Sequence, residues 1–163
     1  MIIEHSDKVM HPRSVGQEFG LLWSSTGGIT EVAAEITVNT EGPLVYIVDD
    51  DASIRRAMKR FINSAGLSVK TFSSARSFLD YESISTHACI IADVKMPEIG
   101  GIELVRELRH RGCRLPVIIV TAFDNEETRE LAHKAGVAGY FRKPVDAHAL
   151  LDAVFWASYE ANA

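Results

Sequence analysis

Cysteine is scarce in this chain, which holds two residues of that type, Cys89 and Cys113, in 163. Neither CxxC spacing nor a neighbouring histidine cluster accompanies them, so they read as reduced, structural thiols and not as a metal or redox motif. The six histidines are dispersed as His5, His11, His87, His110, His133 and His148, with no i, i+4 pair of the kind that builds a helical zinc site. Long hydrophobic runs are absent as well. No apolar stretch approaches the roughly 18 residues that span a bilayer, and the acidic start, Met1-Ile2-Ile3-Glu4, lacks the basic-then-apolar order of a signal peptide. A cytoplasmic location without membrane contact is expected. Nor is there a basic excess: the formal net charge is −5, which argues against the clustered cations of a direct nucleic-acid binder.

What is present is a core and a rhythm. Hydrophobic residues make up 47% of the chain, enough for one ordinary domain. Residues 1–42 differ from the rest: they carry two basic and six acidic side chains, include Ser24-Ser25-Thr26-Gly27-Gly28, and read as a mobile N-terminal extension. Within them Ile29, Val32, Ala33 and Ile36 fit one face of a short helix, although Ile36 and Val38 also fit a strand. From residue 44 onward short β-branched runs alternate with helical periods. The pattern predicts strands at 44–48, 68–72, 88–92, 117–121 and 139–142. Helices are expected from Ile54 to Ala65 and near 74–83, 101–111, 125–135 and 146–160, with Leu150, Leu151, Val154 and Phe155 completing the packing of the last. Strands this apolar have no wet face, so the fold class is α/β: a parallel, doubly wound sheet of five strands with helices on both sides.

In such sheets chemistry sits beyond the carboxyl ends of the strands. Reading off those ends gives Asp49 and Asp50, then Asp93, Thr121 and Lys143. Any one of them has an ordinary reading: a loop carboxylate as a helix cap, Lys143 as a surface lysine paired with Asp49 or Asp50, Thr121 as a β-branched strand end. Several carboxylates converging in one crevice repel each other, and a divalent cation removes that penalty. An all-oxygen ligand set with room for phosphate oxygens points to Mg²⁺. One carboxylate could then act as a nucleophile toward phosphorus, with lysine and threonine stabilising the phosphoryl oxygens.

Four short motifs stand in order on the expected strands: Val48-Asp49-Asp50-Asp51 with Ile54-Arg55; Ile91-Ala92-Asp93-Val94-Lys95-Met96-Pro97; Val120-Thr121-Ala122; and Gly139-Tyr140-Phe141-Arg142-Lys143-Pro144. Over residues 43–160 the chain resembles the receiver domain of bacterial two-component response regulators. That resemblance implies a flavodoxin-like sheet of strand order 2-1-3-4-5 over residues 43–163. It implies Asp93 as phosphoacceptor, with Mg²⁺ held directly by Asp50, Asp93 and the backbone carbonyl of Lys95 and by Asp49 mainly through water. Thr121, Ala122 and Lys143 would surround the phosphoryl group, and Tyr140 would be the switching aromatic, unless its ring is ordinary half-buried packing. It also implies a cis bond between Lys143 and Pro144. Gly100 departs from the family, which often has aspartate there, and suggests a looser helix start.

The partners so implied are a sensor histidine kinase or phosphotransfer protein, docking at the helix that begins near Ser53, and a downstream protein target. With no DNA-binding output domain in the sequence, output is expected through the last two helices and fifth strand, and the chain is not expected to be an enzyme. Two other readings stay open: a hydrolase of the haloacid dehalogenase type, because Asp49-x-Asp51 imitates its nucleophile loop, and a receiver-like interaction module that works without phosphate.

Overall fold

The computed structural model describes residues 42–161. Expectations that fall on residues 1–41, including the short helix around Ile29, lie outside them. Five strands, β1 (Leu44–Val48), β2 (Val69–Phe72), β3 (Ala88–Ala92), β4 (Val117–Thr121) and β5 (Gly139–Arg142), alternate with five helices. These are α1 (Ala52–Ser64), α2 (Ala75–Leu79), α3 (Gly101–His110), α4 (Glu126–Ala135) and α5 (Ala147–Glu160). All strand pairs are parallel, and the order is β2-β1-β3-β4-β5, as expected. The central strands β3 and β4 are buried at every position, which is why they read as unbroken apolar runs.

Alternation along each strand sends side chains to two cores. Tyr46, Val48, Ile90 and Ile119 pack with Phe78 of α2 and Leu104, Val105 and Leu108 of α3 on one face. Val45, Ile47, Ile91 and Val120 pack with Met58 and Ile62 of α1 and Leu150 and Val154 of α5 on the other. An aromatic cluster of Tyr46, Phe72, Phe78 and Tyr81 closes the β1–β2 end of the first core, with ring centroids 5.0 to 6.3 Å apart. Among the described residues no helix is long and apolar enough to cross a membrane.

Two expectations need correction. Helix α2 ends at Leu79, short of the expected 83, with Asp80 as its C-cap, and the guanidinium of Arg111 donates to the Leu79 carbonyl at 3.0 Å. A cation 32 positions away in sequence thus satisfies a carbonyl that the end of the helix leaves without an intrahelical partner. Phe155 does not complete the packing of α5: it is 45% exposed, and neighbouring Trp156 and Tyr159 are 67% and 72% exposed. Helix α5 carries apolar residues around most of its circumference, so periodicity could not tell which of them turn inward.

Candidate functional site at the carboxyl edge of the sheet

The three consecutive aspartates after β1 take three different positions. Asp51 caps α1, its side chain accepting from the backbone N–H of Ser53 at 2.7 Å and of Ile54 at 3.1 Å. Those two N–H groups hold its carboxyl below the usual range. Asp50 is exposed at the mouth of the site. Asp49 is 1% exposed and has both oxygens engaged, one by the Asp51 N–H at 2.8 Å and the other by Lys143 Nζ at 2.9 Å.

Asp93 follows β3 and is brought alongside through the β1–β3 register, its own N–H bonded to the Val48 carbonyl at 3.1 Å. Its Oδ2 accepts from Lys143 Nζ at 3.2 Å, and its Oδ1 lies 3.4 Å from the Lys95 N–H. Asp49, Asp50 and Asp93 each offer a carboxylate oxygen, all within 4.8 Å of one another, close enough to share one cation. The donor set consists of hard oxygens alone and suits Mg²⁺. The ammonium of Lys143 already bridges two of the three carboxylates, which marks the crevice as one that draws positive charge. Burial opposes the charge on Lys143, but hydrogen bonds and Coulombic attraction from Asp49 and Asp93 outweigh it, and its pKa is raised.

Lys143 follows β5, and its N–H donates to the Thr121 carbonyl at 2.8 Å, tying the ends of β4 and β5 together. The Lys143–Pro144 bond is cis, as expected. Thr121 is fully buried, and its Oγ1 accepts from the Phe123 N–H at 3.0 Å. Ala122 beside it is exposed. Gly100 and Gly101 press the start of α3 against the site: a Cβ on Gly101 would lie 2.3 Å from the Asp93 carbonyl oxygen, and one on Gly100 2.5 Å from that of Val94. Gly100 provides α3 with no side-chain cap hydrogen bond. Close backbone approach leaves no space for a side chain there.

Tyr140 stands on β5 opposite Ile119, half-buried, away from the acidic cluster. Its hydroxyl donates to Asp124 Oδ1 at 3.3 Å, and Asp124 is also gripped by Arg129 at 2.7 and 2.5 Å. The guanidinium holds the Asp124 carboxyl below its usual range, while burial and the nearby carboxylate push the Tyr140 phenol up. Sequence reading missed Asp124, Arg129 and Phe123, over whose ring Lys95 Nζ sits 3.4 Å from the centroid. A pair five residues apart across a helix start has no periodic signature, and the cation–π contact joins two loops that follow different strands.

Comparison with known proteins accords with this geometry. The sequence profile of the response regulator receiver domain matches residues 45–155. The chain is 39% identical over 110 residues to the transcriptional regulatory protein TdiR of Thauera aromatica, covering 68% of this chain and 48% of that protein. It is 37% identical over 110 residues to FixJ of Azorhizobium caulinodans, covering 68% and 52%. The chain spans about half the length of the curated relatives it matches. Among solved structures, the response regulator StyR shares 34% identity with a TM-score of 0.69, over 74% of this chain and 61% of that one. The structure described as FixJ-N shares 28% identity with a TM-score of 0.68, over 73% and 95%. Likeness of this extent, in sequence and in fold together, makes the chain a member of the response regulator receiver domain family, whose domains serve signalling and are not classical enzymes.

Proposed function

We propose that Asp93 accepts a phosphoryl group from a histidine kinase or phosphotransfer protein, and that the domain signals through the change in charge. The observation that carries this is the unequal engagement of the three clustered carboxylates. Asp49 is sealed in with both oxygens bonded, and Asp50 lies at the exposed mouth. Asp93 combines a partly accessible side chain, 14% exposed, with an oxygen whose one recorded contact is long, at 3.4 Å. An in-line approach to phosphorus needs such an oxygen.

In the transfer, a carboxylate oxygen of Asp93 forms a bond to phosphorus as the bond from phosphorus to the donor's imidazole nitrogen breaks, its electron pair leaving with the imidazole. Lys143 meets one phosphoryl oxygen with its ammonium, and the Thr121 hydroxyl turns from the Phe123 N–H to donate to another. Asp50, Asp93 and the Lys95 carbonyl would hold Mg²⁺ directly and Asp49 mainly through water, and the ion would neutralise phosphoryl charge. Small Ala122 leaves the acyl phosphate open to water or to a partner. Once Thr121 moves, Tyr140 exchanges its Asp124 bond for an inward position, and the α4–β5–α5 surface changes for a downstream protein. The kinase docks at the start of α1, in the cytoplasm. Asp51 is spent as the cap of α1, which disfavours the hydrolase reading of Asp49-x-Asp51.

The test is incubation with a small acyl-phosphate donor and Mg²⁺, followed by intact-mass measurement. One added phosphoryl group is expected on the native chain and none on Asp93→Asn. Labelling that persists in Asp93→Asn, or an unlabelled native chain, would overturn the assignment; the unlabelled outcome would favour a module that works without phosphate.

A further inference from the structure

Three large aromatic side chains face water within five positions of α5: Phe155 at 45%, Trp156 at 67% and Tyr159 at 72% exposure. Trp156 and Tyr159 lie opposite the buried Leu150 and Val154, and Phe155 flanks them. Exposed aromatics clustered at helical spacing mark an interaction surface more often than chance. Helix α5 contains no lysine or arginine, and its exposed carboxylates, Asp152 and Glu160, border the rings.

Helix α1 has the opposite character. It carries Arg55, Arg56, Lys59 and Arg60 and no acidic residue. Arg56, Lys59 and Arg60 are exposed and form no ion pair among the described residues. The two helices share one layer, since Met58 and Ile62 of α1 and Leu150 and Val154 of α5 pack into the same core. One side of the molecule therefore presents a cationic helix and an anionic aromatic helix together.

We propose that this α1–α5 side is an isologous interface between two copies of the chain, α1 of each copy crossing α5 of the other. A twofold axis places residue i against j and j against i, so a side that bears both halves of a charge pattern complements itself. Across such an axis Arg56 and Arg60 lie over the faces of Trp156 and Tyr159 and beside Asp152 and Glu160, gaining cation–π and charge contacts that neither helix makes among the described residues of its own copy. The area available, on the order of 600 Å² per copy, belongs to the weak end of specific interfaces. Association is micromolar and weakened by salt. Because α1 is also the proposed kinase-docking helix, the paired form withholds it from the kinase.

The test uses the full chain with Trp23→Phe, which leaves Trp156 as the single tryptophan. As concentration rises, the Trp156 emission shifts to the blue in step with a doubling of mass in sedimentation, and both revert at about 1 M salt. Arg56→Glu with Arg60→Glu weakens self-association by about tenfold or more. Mixing that variant with Asp152→Lys plus Glu160→Lys restores a mixed dimer. Trp156→Ala is a monomer, and a native-like circular dichroism spectrum with a cooperative thermal melt reports that each surface variant is folded. A monomer at every soluble concentration overturns the proposal, as does a dimer that survives both Trp156→Ala and the charge reversals. Blue-shifted emission from a dilute monomer also overturns it, since another part of the same chain would then cover Trp156. None of these results bears on whether Asp93 takes up phosphate.

Discussion

At the residue scale the site is governed by one lysine. Lys143 is 15% exposed and is the cation recorded on both Asp49 and Asp93. Removing one partner of a buried pair leaves an uncompensated charge, at a cost of about 3 kcal/mol or more. Lys143→Met is therefore expected to lower the unfolding free energy of the metal-free protein by an amount of that order, read as a lower denaturant midpoint. The deficit narrows when Mg²⁺ is added, because another cation then answers the same carboxylates. The pH dependence has a definite sign. The pKa of Lys143 is raised in the folded state, so its contribution is complete below about pH 10.5 and is lost as pH climbs through the higher folded value. Thermal melts of the native protein should fall more steeply above pH 10.5 than those of Lys143→Met; parallel curves would show that the lysine contributes no linked stability. Cys89 bears out the reading of a structural thiol, since burial pushes it up to about 12.

At the scale of elements, helix ends decide where side chains point. Asn125 caps α4 by accepting from the Thr128 N–H at 2.7 Å, and that cap fixes the turn carrying Asp124 and Phe123. Asn125→Ala should destabilise the domain by about 1 kcal/mol, read as a lower melting temperature. It should also free Tyr140, read as altered phenol fluorescence or titration, because Asp124 loses its fixed position. An unchanged Tyr140 would separate the loop from the cap. Helix ends were also where sequence was least legible. The helices α1 and α3 were legible from their period, whereas the length of α2 was not, and the Arg111 that meets its last carbonyl has no local pattern to indicate it.

For the whole molecule, the acidic site exists only when β1, β3 and β5 are aligned, so binding there is coupled to global folding. A cation that binds the folded chain alone stabilises it by about 2.7 kcal/mol at a hundredfold excess over its dissociation constant. Adding Mg²⁺ is expected to raise the melting temperature as one cooperative transition, and chelation should reverse the rise. Asp50→Asn should reduce that gain while leaving metal-free stability near native, because Asp50 is exposed and has no bond recorded among the described residues. A metal-induced shift that survives in Asp50→Asn and Asp93→Asn alike would place the ion elsewhere.

The sequence alone determined the layered fold, the strand order through family likeness, and the identity of the residues at the strand ends. The reason is physical: strands buried on both faces must be apolar throughout, so each switch to a polar residue marks a strand end where a parallel sheet holds its ligand. Tertiary structure decided that, of the two aspartates the resemblance had assigned to the metal, Asp49 is buried and Asp50 stands at the mouth, while Asp51 is taken up as the cap of α1. It likewise decided that Arg111 meets the last carbonyl of α2, that Asp124, gripped by Arg129, holds Tyr140, and that Phe155, Trp156 and Tyr159 face water. Those outcomes rest on contacts between parts of the chain that sequence spacing does not relate, and only packing chooses among them.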